Sequence, residues 1–217
     1  MPDIFDEVRE DLRAERARQL GLRYGGILAA VALLALVAVG GWQGWRWYQQ
    51  RESEAAANAF LIVHREAERP GADLKAAAAR FDDIAAQAPE GYRVLARLRA
   101  AALKSETGDL PGAMAEWDAV AGDSAADALY RDLASLNWVL HGLDSADPAM
   151  LTARVTPLTA EGNPWRASAR ELQALVAVRQ GRGGEARRIL EALAADPATP
   201  QAMRDRAARV AAGLPDA

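Results

Sequence analysis

Cysteine is absent from this 217-residue chain, and lysine, histidine and aromatic residues are scarce. Without a thiol the chain can form no disulfide framework, no thiolate metal site and no cysteine nucleophile. Lysine occurs twice among 26 basic residues, so nearly all positive charge is arginine. A net charge of -4 and an isoelectric point near 5.3 argue against general nucleic-acid binding.

Alanine is the residue present in excess, at 51 positions. It is the best helix former and a poor strand former, so the composition argues against a β-sandwich or barrel. Charged residues make up 26% and hydrophobic residues 51%, which is too ordinary for a wholly disordered chain. We therefore predict an all-α fold.

One stretch is long and apolar enough to cross a membrane. Between Arg23 and Arg46 lie 22 uncharged residues, YGGILAAVALLALVAVGGWQGW. As an α-helix they span about 33 Å, against a hydrocarbon core of about 30 Å. Aromatic residues, which favour the headgroup layer, cluster at the C-terminal end: Trp42, Trp45, Trp47 and Tyr48. We predict a single transmembrane helix over residues 24–48.

The arginines that flank this helix predict its orientation. Before the helix stand Arg9, Arg13, Arg16, Arg18 and Arg23, and after it Arg46, Arg51 and Arg65. Because positive residues accumulate on the cytoplasmic side, we expect residues 1–23 in the cytoplasm and residues 49–217 in the bacterial periplasm. The alternative is a cleaved signal peptide, against which the long acidic N-terminal region and the length of the apolar stretch both argue.

Residues 1–23 form an amphipathic segment of their own. Ile4, Val8 and Leu12 recur every four residues, which predicts a short helix on the membrane surface or, alternatively, a docking helix for a membrane partner. Small residues four apart would let two membrane helices approach closely. Such pairs, which also arise by chance in alanine-rich segments, are Gly21 with Gly25, Gly25 with Ala29, and Gly40 with Gly44.

The remaining chain contains a repeated pattern in which a small or apolar residue is followed four and seven positions later by large apolar residues. Its four copies are Ala77/Phe81/Ile84, Ala113/Trp117/Val120, Leu151/Val155/Leu158 and Ala186/Leu190/Leu193. The copies start 36, 38 and 35 residues apart, close to the 34-residue period of tetratricopeptide repeats. We predict a helical solenoid of about four helix pairs, with these patterns on the second helices.

Three details of the repeats can be compared with a structure. The first helices are expected to bury stripes such as Ala56/Phe60/Val63/Ala67 and Leu129/Leu133/Leu136/Leu140, and small residues at Ala101 and Ala174. Pro157 is expected to shorten or kink the third repeat's second helix. The tail, about residues 200–213, is expected to form a capping helix with Met203, Ala207 and Val210 inward.

Three segments resemble the YfgM-type proteins. They are the N-terminal block DIFDEVREDLRAERARQL, Arg23-Tyr24-Gly25 at the start of the apolar stretch, and VGGWQGWRWYQQ at its end. The YfgM-type proteins are ancillary SecYEG translocon subunits with one membrane anchor and a tetratricopeptide-like domain. The resemblance implies a type II inner-membrane protein whose partners are the translocon, a membrane-anchored prolyl isomerase and emerging secretory proteins, acting as a chaperone or adaptor. The alternative is a scaffold for another envelope or respiratory complex.

The sequence contains few residue patterns typical of a catalytic or ligand-binding site. Adjacent Asp82 and Asp83 point in different directions on a helix, so they do not form an acid/base pair. The glycine-rich segment 181–185 lacks the lysine and hydroxyl of a phosphate loop and is expected to be a turn between helices. His64 and His141 are expected as surface or packing residues, Trp117 and Trp138 in the core, and Trp165 either in the core or as an exposed anchor. We predict no catalytic, cofactor-binding or metal-ligating residue, no enzyme activity and no small-molecule substrate.

Overall fold

The computed structural model describes residues 4–214, with side chains before residue 33 described at positions 18, 23, 24, 26 and 29–31. Within that range the regular structure is helical, which confirms the predicted fold class. The helices are α1 (Ile4–Ala67), α2 (Leu74–Gln87), α3 (Glu90–Glu106), α4 (Leu110–Gly122), α5 (Ala128–Gly142), α6 (Pro148–Val155), α7 (Arg166–Arg179), α8 (Gly183–Ala195) and α9 (Gln201–Ala212).

The chain divides into two compact units, Met1–Glu52 and Ser53–Ala217. Helix α1 has the length and composition to cross a membrane: its segment Ala29–Ala67 contains a fully exposed window with a mean hydropathy of 1.2. In the first unit, the guanidinium of Arg46 lies 4.6 Å from the ring centroid of Trp42. The predicted stripe of Ile4, Val8 and Leu12 and the pair Gly21/Gly25 lie outside the described side chains.

In the second unit each helix from α2 onwards packs against the next one in the chain, and the end of α1 contacts α2 through Phe60 and Phe81, whose ring centroids lie 5.1 Å apart. The end of α1 with α2, α3 with α4, α5 with α6, and α7 with α8 form successive pairs, and α9 covers α8. Three apolar clusters follow one another along this order: the first joins α1, α2 and α3, the second joins α3 to α7, and the third joins α7, α8 and α9. The second unit is therefore a helical solenoid.

The repeated pattern of the second helices lies in these clusters. Eleven of its twelve side chains are buried, and the twelfth, Ile84, is half-buried and packs against the first cluster. Trp117 and Phe81 are the largest fully buried side chains among the described residues. Ala101 and Ala174, the predicted small positions of the first helices, are completely buried. Close approach of α3 to α4 and of α7 to α8 requires a small residue there.

The turns that join the helices of the second and fourth pairs have the same geometry. Gly108 and Gly181 have φ of 85° and 74°, the left-handed conformation that glycine adopts at low cost. The amide after each glycine donates to a carbonyl five residues earlier, from Asp109 to Lys104 and from Arg182 to Ala177, both at 2.8 Å. This is the Schellman arrangement that ends a helix. The turn expected in segment 181–185 is thus formed by residues 181–182, and residues 183–185 begin α8.

Aspartates begin the second helices of the first three pairs. The carboxylates of Asp73 and Asp109 accept hydrogen bonds from the amides of Ala76 and Gly112, each at 3.0 Å. Asp147 accepts from the amide of Ala149 at 2.7 Å. Each carboxylate satisfies an amide that has no partner inside the helix.

Pro157 ends the second helix of the third pair, which confirms the prediction of a short helix. Helix α6 has eight residues and continues as the 3₁₀ turn Thr156–Thr159. Proline has no amide hydrogen to continue the α-helical ladder. The hydroxyls of Thr156 and Thr159 donate to the carbonyls of Thr152 and Thr156, at 2.7 and 2.8 Å, and stabilise the tighter turn.

Two burial predictions are wrong. Leu129 and Leu140 are 41% and 46% exposed, whereas Ala134, Trp138 and Val139 form the buried side of α5. In the capping helix α9, Val210 is 37% exposed and Ala211 is buried in its place. In both helices a smaller residue lies at the contact, because it lets the neighbouring helix approach more closely than leucine or valine does.

Candidate functional site

The side of α5 that faces away from Ala134 and Trp138 carries the predicted leucine stripe, of which Leu136 still packs against the second apolar cluster. Successive residues of a helix turn by about 100°, so Leu136 and Leu140 lie on the side opposite Ala134 and Trp138. Leu133 and Leu136 are half-buried, and Leu140 is 46% exposed. Contiguous apolar surface of this kind on a structured helix is a common property of binding sites.

Half-buried leucines lie on three successive first helices. Leu98 of α3, Leu136 of α5 and Leu175 of α7 are each half-buried and each pack against the second apolar cluster. Helix α5 contacts both α3 and α7, so these residues belong to adjacent rows. We call the following set the leucine face: Leu98, Leu133, Leu136, Leu140, Leu175 and Val178.

Hydrogen bonds between equivalent ends of the first helices hold this surface in place. The indole Nε1 of Trp165, at the start of α7, donates to the carbonyl oxygen of Leu129 in α5 at 3.0 Å. The hydroxyl of Ser105 in α3 lies 3.0 Å from Nδ1 of His141 in α5. Both pairs are 36 residues apart, which is one repeat. The rows of the leucine face are therefore linked at both ends of α5.

His141 belongs to this framework. Its ring stacks on the buried Trp117, with 4.6 Å between ring centroids. Partial burial lowers the pKa of His141 below its usual value of 6.5 because the charged imidazolium loses contact with water. His141 thus has the packing role that the sequence predicts.

A charged cluster joins the helices on the other side of α3. Nζ of Lys104 lies 3.0 Å from Oδ1 of Asp82 in α2 and 3.1 Å from Oε1 of Glu116 in α4. Burial alone lowers the pKa of Lys104, but its hydrogen bonds to the two carboxylates outweigh this effect and raise the pKa. Asp82 therefore joins neighbouring repeats and does not form an acid/base pair with Asp83.

The other residues considered for chemistry also have packing roles. Nε2 of His64 lies 3.2 Å from Oε1 of Glu68, one turn later, and its ring stacks on Phe60 with centroids 5.9 Å apart. Trp117 and Trp138 are buried in the second cluster, as predicted. Trp165 is half-buried and hydrogen-bonded, between the two expected alternatives. No group of metal-ligating side chains occurs among the residues that the structure describes.

Sequence reasoning found the residues of the leucine stripe on α5 but assigned them to the core. The pair Ala134/Trp138, a small residue followed one turn later by a large aromatic residue, is the signal that could have identified the buried side. The same pairing of a small and a large residue identified the second helices correctly at Ala113 and Trp117.

A family model described as a tetratricopeptide repeat-like domain matches residues 22–205. No curated protein and no solved structure matches the chain significantly.

Proposed function

Because the chain belongs to the tetratricopeptide repeat-like domain family, we propose that it binds segments of partner proteins on the leucine face. Repeat domains of this family mediate protein–protein interactions and are generally non-catalytic scaffolds. The observation that carries the proposal is the stripe of exposed and half-buried leucines on α5, flanked by apolar residues of α3 and α7.

The leucine face fits an apolar partner segment. Leu140 and Val178 are 46% and 39% exposed, so a partner can cover them without unfolding the helices. Covering apolar surface contributes roughly 25 cal/mol per Å² removed from water. An amphipathic helix or an extended chain with regularly spaced apolar side chains would pack across the three rows.

We further propose that α1 holds the repeats at the bacterial inner membrane, with the N-terminus in the cytoplasm and the repeats in the periplasm. The length and hydropathy of the segment Ala29–Ala67 and the excess of arginine before the apolar stretch support this arrangement. An anchor confines the repeats to the membrane surface and raises their effective concentration towards membrane-bound partners.

The partner that we propose is the Sec translocon together with emerging secretory chains, to which the protein acts as a chaperone or adaptor. The resemblance of the N-terminal block and of both ends of the apolar stretch to YfgM-type proteins supports this role. An unfolded secretory chain also exposes the apolar segments that the leucine face can cover.

Photo-crosslinking in intact membranes tests the proposal. A photo-reactive amino acid at position 140 or 178 should capture SecY, a membrane-anchored folding factor or a secretory chain. The matched control carries the same group at Arg188, an exposed position on α8. Equal capture from both positions would remove the leucine face from consideration. Capture of an envelope or respiratory complex without translocon components would favour the scaffold role instead.

The orientation is tested separately. A reporter that is active only in the periplasm, fused after Ala217, should be active. An inactive fusion, together with activity of a cytoplasmic reporter at the same point, would overturn the proposed orientation without affecting the leucine face.

A further inference from the structure

Two tryptophans at the C-terminal end of the apolar stretch each lie against an arginine one helical turn later. The guanidinium of Arg46 lies 4.6 Å from the ring centroid of Trp42, and that of Arg51 lies 4.1 Å from the ring centroid of Trp47. The two tryptophans are 60% and 57% exposed. Each pair thus presents a cation and an aromatic ring together on the surface of α1.

The stacking places both guanidinium groups at the depth of the tryptophan rings. Side chains of an α-helix point back towards its N-terminus, so each arginine leans towards the apolar stretch. Tryptophan rings favour the headgroup layer of a membrane. When α1 crosses a membrane as proposed above, Arg46 and Arg51 are held among the headgroups, whereas an unstacked arginine would extend into water.

The two pairs lie on different sides of α1 and within one headgroup layer. Trp42 and Trp47 are five residues apart, which corresponds to about 7.5 Å along the helix and about 140° around it. A headgroup layer is roughly 5–8 Å thick. The two arginines therefore face different lipid molecules at a similar depth.

The hydrogen-bonding capacity of both guanidinium groups is available to a ligand. Stacking uses the flat face of a guanidinium and leaves the N–H donors at its edge free. Neither Arg46 nor Arg51 forms an ion pair or hydrogen bond with another residue in the part of the chain that the structure describes. Glu52, which follows Arg51 in the sequence, accepts a hydrogen bond from the hydroxyl of Tyr48.

We propose that Arg46 and Arg51 bind the phosphate groups of anionic phospholipids in the adjoining leaflet. The paired N–H donors of arginine match two oxygens of a phosphate. In a zwitterionic lipid the ammonium group of the headgroup offsets the charge of the phosphate, so an anionic lipid is favoured. The inference rests on the proposed membrane crossing by α1 but not on its orientation, and it adds a lipid partner to the protein partners of the leucine face.

Tryptophan fluorescence of the full chain in phosphatidylcholine vesicles tests the proposal. Brominated phosphatidylglycerol or brominated phosphatidylcholine, mixed in at the same mole fraction, quenches the tryptophans at positions 42, 45 and 47 on contact. The association constant of phosphatidylglycerol should exceed that of phosphatidylcholine at least about threefold. Replacing both arginines by glutamine should make the two constants nearly equal. Replacing both by lysine, which keeps the charge without the paired donors, should retain only part of the preference.

Arg23→Gln is the matched control, because it removes the same charge at the other end of the apolar stretch and should leave the preference unchanged. Inorganic phosphate, added at constant ionic strength, should also leave it unchanged, since only lipid phosphate is held at the depth of the guanidinium groups. Equal quenching by the two lipids, an undiminished preference in either double variant, an equal loss in Arg23→Gln or displacement by inorganic phosphate would overturn the proposal.

Flotation of the vesicles after alkaline extraction tests the membrane crossing itself. A chain that stays with the vesicles but shows no lipid preference would overturn only the inference about Arg46 and Arg51. A chain that is lost from the vesicles would overturn the proposed membrane anchor and the lipid site with it.

Discussion

The indole of Trp165 donates a hydrogen bond to the carbonyl oxygen of Leu129, 3.0 Å away and 36 residues earlier in the chain. This bond joins the N-terminal ends of α5 and α7, the two helices that carry most of the leucine face. The carbonyl oxygen of Leu129 has two lone pairs, so it can accept from the indole in addition to the bond within α5, and the half-buried indole reaches it from the neighbouring repeat.

Trp165→Phe should therefore destabilise the repeats while keeping most of the aromatic contact. Loss of one hydrogen bond costs about 0.5–1.5 kcal/mol of the free energy of unfolding. Urea unfolding of the full chain in detergent, followed by circular dichroism, measures this loss. Trp45→Phe is the control, since Trp45 lies in the first unit and is 62% exposed. A variant at position 165 as stable as the parent would show that the bond contributes nothing.

Leu140→Ser and Val178→Ser should weaken partner binding with little effect on stability. Both side chains are substantially exposed, so the free energy of unfolding should change by no more than about 0.5 kcal/mol. The yield of crosslinked partner should fall several-fold, because each substitution removes apolar contact from the proposed interface. Quantitative crosslinking from an unchanged neighbouring position measures the effect. An undiminished yield in the double variant would count against binding on this surface.

Ala134→Leu should destabilise the second cluster strongly. Ala134 is completely buried at the contact side of α5, and extra methyl groups there force the neighbouring helices apart. Overpacking of this kind typically costs about 1–3 kcal/mol. Ala128→Leu, an exposed position on the same helix, is the matched control and should be nearly neutral. Urea unfolding of the two variants side by side gives the difference.

Stability should fall in mild acid because of His141. Its pKa is lower in the folded chain, where the ring is partly buried against Trp117, than the usual value of 6.5 that applies when the chain unfolds. The unfolded chain therefore binds a proton more readily. The contribution of neutral His141 to the free energy of unfolding is complete above about pH 6.5. It is lost as the pH falls from there towards the pKa of His141 in the folded chain.

The urea midpoint should thus decrease between pH 7.5 and 5.5, and His141→Gln should reduce that decrease. His64→Gln serves as the comparison, because His64 pairs with Glu68 rather than stacking on the buried tryptophan. An identical pH dependence in the His141 variant and the parent would assign the acid sensitivity to other groups.

Much of the fold could be predicted because its signals are local and periodic. The pattern of Ala113, Trp117 and Val120 buries one side of a helix, and Gly108 before it supplies a turn conformation that other residues rarely adopt. Pro157 likewise removes a backbone donor whatever its neighbours are. Each of these effects acts within a few residues, so the sequence alone contains it.

The orientation of α5 could not be predicted in the same way. This helix has apolar residues on two sides, with Trp138 and Val139 on one and Leu136 and Leu140 on the other. Hydropathy does not distinguish them. Which side of α5 is buried depends on how closely α3, α4 and α7 approach it, and this is a property of the assembled repeats.

Two helices each take part in two apolar clusters. Helix α3 contributes Ala100 to the first cluster and Ala101 to the second, and α7 contributes Val176 to the second and Ala177 to the third. Disordering either helix exposes two clusters at once, so no helix pair can melt alone without raising the energy of its neighbour. Unfolding should spread along the array as a cooperative transition, and a ligand held at one end should slow hydrogen exchange several helices away.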